Sequence, residues 1–142
     1  MTETEALADA VDLENQAIYG YGLTGAHFTG ADRARALAAL DSHRARRDRL
    51  AAMLVRLGAT PPAAAPAYSP PTPVTSATSG RALCAALEDA CAGAAWDLVT
   101  ASRAGSSSRS LAVTWLSEAA VAASTWRGGA ANGNSAMPGQ PA

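Results

Sequence analysis

The chain has no lysine: its eleven basic residues are all arginine. That usage reads as the coding bias of a GC-rich genome rather than as a physical requirement. Aromatic residues are scarce too, 5% against 49% hydrophobic residues, so the apolar content is mostly alanine with leucine and valine. A core of that kind has little bulk per residue and works best where helix backbones approach closely. No apolar run reaches the ~20 residues of a membrane span. The first residues, Met1 to Glu5, are acidic, where a secretory signal starts positive; a cytoplasmic protein with no membrane partner is expected. Charge of one sign is also missing. A formal net charge of −1 argues against a dedicated nucleic-acid or membrane-surface binder. Cysteine occurs only as Cys84 and Cys91 on one predicted helix. Their Cα atoms lie roughly 10 Å apart by helical rise, too far for a disulfide. Both read as small buried hydrophobes, with redox or metal work as the alternative.

Proline is almost absent outside one stretch. Six of the eight prolines fall within residues 59–78, so neither a helix nor a central strand forms there. On either side, 3–4 spacing of apolar residues predicts four alanine-rich helices, over about 4–27, 31–57, 79–104 and 108–127. Asp32 and Ser79 stand as candidate N-terminal caps, and Gly58 as a stop. The segment 58–78 is long enough in extended form, at ~3.1 Å per residue, to run the length of a helix. It therefore starts the third helix at the far end from where the second stops. This gives an all-α fold, a four-helix bundle of two antiparallel hairpins joined by a long Pro-rich crossover. The bundle is one domain over 1–129, with a small, polar, flexible tail over 130–142.

Each helix carries a ligand-type residue near its apolar stripe: Glu14, His43, Glu88 and Glu118. With the first turn centred between Phe28 and Thr29, Glu14 and His43 each lie about 14 residues from it and share one height. The second hairpin matches less well. Glu88 and Glu118 differ by roughly 9 Å in height, and Asp97 competes with Glu88 for the place opposite Glu118. The first helix is acidic and the second holds Arg33, Arg35, Arg44, Arg46, Arg47, Arg49 and Arg56. Alone, that cluster would suggest a nucleic-acid stripe; beside an acidic helix it reads as charge balance, with no nucleic-acid partner.

Several local patterns stand out. They are Glu14 followed by Tyr19-Gly20-Tyr21-Gly22, the run His43 to Asp48, Gly58-Ala59 leading into Pro61-Pro62, and Tyr68. Pro73-Val74, Glu88, Trp126-Arg127 and Pro138-Gly139 complete the set. Together, over nearly all of residues 5–139, they resemble an actinobacterial ferritin-like family of unknown function, within the ferritin-like superfamily. The resemblance implies a ferritin-like bundle, often paired into homodimers, and no established activity. Ferritin-like proteins hold two metal ions with one Glu on each of two helices and Glu-x-x-His on each of the others. Carried over, Glu14 and Glu88 fit the single glutamates. The second helix reads Leu40-x-x-His43 and the fourth Glu118-x-x-Val121, so two of six ligands are missing.

Glu14, His43, Glu88 and Glu118 could still hold a single Fe, Mn or Zn ion. Arg47, one turn from His43, offers a fixed cation in its place. The reading adopted is a structural polar core of Glu14, His43, Arg47 and Glu88 with Tyr19 or Tyr21 donating, in which loss of one partner costs about 3–5 kcal/mol. The glycines beside the tyrosines fit close approach of another backbone, and Trp96, Trp115 and Trp126 fit core or dimer anchors. The function expected is a non-enzymatic, homodimeric bundle without a cofactor, its core structural or binding a small ligand or one ion. The alternative is a metal-dependent (iron or manganese) oxidoreductase or hydroxylase.

Overall fold

The computed structural model describes residues 1–128; the expected tail over 130–142 lies outside the described residues. Helix α1 spans Glu3–Thr24 and is followed by a 3-10 turn, Gly25–His27. Helices α2, Gly30–Arg56, α3, Ala77–Ala101, and α4, Ser107–Trp126, complete the set. Every end lies within three residues of its expected place.

Thr2 starts α1 through a reciprocal box with Glu5, whose N–H donates to the Thr2 hydroxyl at 3.2 Å while its carboxylate accepts from Thr2 N at 2.7 Å. Two expected caps are corrected. Ser76, not Ser79, caps α3: the Ser79 N–H donates to Ser76 Oγ at 3.1 Å and Ser79 Oγ accepts from Ser76 N at 3.0 Å. Asp32 sits inside the first turn of α2, after Thr29, where a negative charge suits the helix dipole. There it accepts from Arg35 at 3.1 Å and from Arg81 of α3 at 3.0 Å. Gly58 ends α2 with φ 77°, a left-handed conformation that glycine adopts without strain.

The crossover traverses the bundle. Ala59, just past α2, packs on the cluster that contains Leu7, Leu54 and Leu98, whereas Val74 and Ala77 pack on the cluster of Tyr21, Phe28 and Trp126 at the opposite end. Midway, the Tyr68 ring meets Tyr19 edge-on with centroids 5.8 Å apart. A single long crossover between the second and third helices is the ferritin-like connection. Helix α1 packs against α2 and α3, and α3 against α4. The fourth seam, between α2 and α4, is looser and opens as a cleft along both helices.

Alanine does in the core what its abundance predicts. Ala10, Ala17, Ala92, Ala95, Ala112 and Ala123 are fully buried between helices. Gly20 goes further, since a Cβ there would lie 2.5 Å from Leu87 Cδ1 on α3. Trp115 and Trp126 are core residues, while Trp96 is 42% exposed on α3. Between the two apolar clusters lies a belt of buried polar side chains, Glu14, His43 and Glu88. No helix among the described residues is long and apolar enough to cross a membrane.

Candidate functional site

Equal height in the first hairpin brings Glu14 and His43 together: Nδ1 lies 2.6 Å from Glu14 Oε2. The other ring nitrogen, Nε2, lies 3.1 Å from Glu88 Oε1 on α3. That same oxygen accepts from the Tyr21 hydroxyl at 2.6 Å, and the hydroxyl accepts from Trp126 Nε1 at 2.8 Å. On the other side, Arg46 Nη1 donates to Glu14 Oε1 at 3.1 Å and Nη2 to Glu118 Oε2 at 2.9 Å. The Arg46 guanidinium lies over the Trp115 ring, 5.5 Å from its centroid. One continuous chain of hydrogen bonds thus runs from Trp126 through Tyr21, Glu88, His43, Glu14 and Arg46 to Glu118 at the rim.

Electrostatics explain why so much charge tolerates burial. Burial pulls the His43 pKa down, but hydrogen bonds to Glu14 and Glu88 and their charges outweigh it and raise it to about 9. With a carboxylate on each nitrogen, the ring is an imidazolium donating twice. Burial also opposes the charge on Arg46, and Glu14 more than offsets it. Two buried carboxylates therefore face two cations. Burial and the adjacent Glu88 push the Tyr21 phenol far above its ordinary range, so it remains a donor. Burial first, then the charges of Glu14 and Glu88, push the Cys91 thiol well up, opposed by Arg46.

Four sequence expectations are resolved by these positions. The cation is Arg46 and not Arg47. Both lie one turn from His43 but on opposite flanks; the flank of Arg46 faces α4, while Arg47 turns to its neighbour Asp48 at 2.9 Å. Tyr21 joins the network and Tyr19 does not, because two residues correspond to about 200° around a helix and Tyr19 faces the crossover. Glu88 is buried while Asp97 is exposed, so Glu88 takes the inner position. Glu118 stays at the surface, its side chain 58% exposed, drawn there by Arg46.

Of Glu14, His43, Glu88 and Glu118, the first three converge and the fourth does not. A dinuclear ferritin-like centre does not fit these residues. Leu40 packs on the apolar cluster, Val121 is 66% exposed, and Arg46 occupies one oxygen of Glu14. Sequence reasoning missed Cys91 as a neighbour of the site. Its sulfur, one Glu14 oxygen and one His43 nitrogen lie within 4.8 Å of one another. The signal was available, since Cys91 follows Glu88 by one turn on the same buried face. Both cysteines are free and buried.

Above the network the α2/α4 cleft forms three adjoining hollows. One of about 510 Å³ has Ala39, Val121, Ala122 and Trp126 on its walls and Tyr21 and Glu88 on its floor. One of about 130 Å³ lies over His43 itself. The third, of about 630 Å³, sits toward the start of α4 between Arg46, Arg49, Ser110 and Thr114.

No curated protein matches the chain. A solved structure does: the crystal structure of a conserved hypothetical protein, Rv2844, from Mycobacterium tuberculosis. It is 36% identical, with a TM-score of 0.82, over 87% of this chain and 93% of that one. The family described as a domain of unknown function (DUF4439) matches residues 6–142. A helical bundle with a buried polar and charged core, covered from end to end by one family, places the chain in the DUF4439 family, to which it belongs.

Proposed function

We propose that the protein is a non-enzymatic binding bundle: its buried network holds the helices in register, and the cleft between α2 and α4 takes a small, largely apolar molecule. The carrying observation is the hollow of about 510 Å³, with apolar walls from Ala39, Val121, Ala122 and Trp126, Tyr21 and Glu88 on its floor, and Arg35, Ser117, Glu118 and Thr125 completing its lining. That size and lining suit a small-molecule site, where a few polar groups orient an otherwise apolar ligand. The structural role of the network rests on its saturation, since both nitrogens of His43 and both oxygens of Glu14 are already engaged. An apolar fluorescent dye tests the cleft. It binds the wild-type chain and loses affinity by roughly tenfold or more in Ala122→Trp, which fills the hollow. Dye binding unchanged by that substitution would move the ligand elsewhere.

Two further parts belong to the same reading. The bundle pairs as a homodimer, with the exposed Trp96 and Val113 on the packed helices α3 and α4 as its apolar anchors, which light scattering at micromolar concentration tests. Its two unpaired thiols suit a reducing, cytoplasmic setting, which fractionation of cells tests.

A further inference from the structure

Cys91 is fully buried beside the charge network yet takes no part in its hydrogen bonds. We propose that Glu14, His43 and Cys91 form a site for one thiophilic divalent ion, zinc by its ligand chemistry, which enters in exchange for two protons. Three helices each supply one ligand, a carboxylate oxygen from α1, an imidazole nitrogen from α2 and a sulfur from α3. All three residues are buried, and these atoms lie within 4.8 Å of one another. Zinc binds such atoms at about 2.0–2.3 Å, which sets ligand atoms roughly 3–4 Å apart in a tetrahedral arrangement.

The surroundings are those a metal-bound histidine needs. Nε2 of His43 faces Glu88 Oε1 at 3.1 Å, and Tyr21 holds that carboxylate from behind. A proton kept on Nε2 leaves Nδ1 as the ligand atom, the carboxylate–histidine–metal arrangement of many zinc sites. Glu14 offers Oε2, the oxygen now facing Nδ1, while its Oε1 stays with Arg46. The hollow of about 130 Å³ reaches His43 and Arg46 from the cleft, while Glu14 and Cys91 lie off its lining.

The charges balance. One ion brings two positive charges; the proton between Nδ1 and Oε2 leaves, and so does the thiol proton of Cys91. Buried charge is unchanged, so Arg46 and Glu88 keep their partners. A dinuclear centre would instead bring four positive charges beside Arg46. A thiolate ligand favours zinc, or cobalt as its spectroscopic substitute, over manganese or magnesium.

This inference stands apart from the cleft ligand; in the structural network the ion replaces one contact, that of His43 Nδ1 with Glu14 Oε2, and its test reads the ion directly. The full chain, reduced and freed of metal by chelator, is titrated with cobalt(II) and then with zinc. One cobalt binds per chain with a thiolate-to-cobalt charge-transfer band in the near ultraviolet, one zinc displaces it, and two protons appear per ion in weakly buffered neutral solution. Cys91→Ala and the closer-fitting Cys91→Ser both lose the band and weaken binding by roughly tenfold or more, whereas Cys84→Ala keeps both. Absence of stoichiometric cobalt from the folded wild type, or a band that survives loss of the Cys91 sulfur, would overturn the assignment. Dye binding in the cleft is measured on the same samples, so failure of one reading is told from failure of the other.

Discussion

Arg46 and Glu118 close the loose seam between α2 and α4, Nη2 to Oε2 at 2.9 Å, from opposite degrees of exposure. The Arg46 side chain is 13% exposed and that of Glu118 58%. The same guanidinium holds the fully buried Glu14 at 3.1 Å. The two ends of this bridge therefore differ in energetic weight. Replacing Glu118 by Gln loses an exposed, screened pair and costs at most about 1 kcal/mol. Replacing Arg46 by Met strands a buried carboxylate and costs about 3–5 kcal/mol. Urea unfolding of the two variants checks the ratio, and equal losses would contradict it.

Stability falls as pH rises from neutral toward 9. At a pH below the ordinary histidine value of 6.5, His43 is protonated in the folded and unfolded chains alike, and its contribution is complete. Above that value the unfolded chain gives up the proton, while the folded chain keeps it up to about 9. The contribution lost across that window is about 3 kcal/mol. His43→Gln has no such proton to keep, so its melting temperature changes far less over the same range. Parallel pH profiles for the two proteins would assign the slope to other groups.

Tyr21 and Tyr19 separate a buried hydroxyl from an outer ring contact. Tyr21→Phe removes the donor to Glu88 and the acceptor of the Trp126 N–H at once. Leaving the Trp126 N–H unsatisfied in the core, and Glu88 Oε1 with His43 as its remaining partner, costs about 1–3 kcal/mol. Tyr19→Phe keeps the ring contact with Tyr68 and stays within about 0.5 kcal/mol of wild type. Chemical denaturation ranks the pair, and a reversed order would refute the direction of the network.

Gly20 and Gly22 lie two residues apart within α1 and respond oppositely to alanine. At Gly22 nothing lies within 4 Å of a new Cβ, so the helix gains up to about 1 kcal/mol. At Gly20 the Cβ would meet Leu87 at 2.5 Å, and overpacking of about 1–3 kcal/mol exceeds that gain. Shortening Leu87 to Val in the Gly20→Ala background recovers part of the loss. Thermal melts of the three variants decide this, and a stabilised Gly20→Ala would show that Leu87 repacks freely.

Much of this architecture was legible before any coordinates, because it depends on periodicity and on proline. The 3–4 spacing marked four helices, and six prolines in one stretch ruled out structure between the second and third. Counting from the turn paired Glu14 with His43, since height in an antiparallel hairpin is a linear quantity. What counting could not supply was azimuth. Arg46 and Arg47 differ by one position and by about 100°, and only the placement of α4 decides which of them enters the core. Likewise the sequence reading treated Cys91 by hydrophobicity, although its place one turn after Glu88 put a sulfur beside the same two residues.

The crossover contributes no side chain to the charge network. Glu14, His43 and Arg46 come from one hairpin, and Glu88, Cys91 and Glu118 from the other. Each half alone holds an incomplete set of charges, two cations with one carboxylate on one side and carboxylates with a thiol on the other. The network is therefore a recognition code between two halves of one molecule. A chain cut in the exposed stretch 63–67 would leave two fragments that identify each other by charge as well as by apolar fit. The two fragments are expected to reassemble when mixed, which size-exclusion chromatography checks.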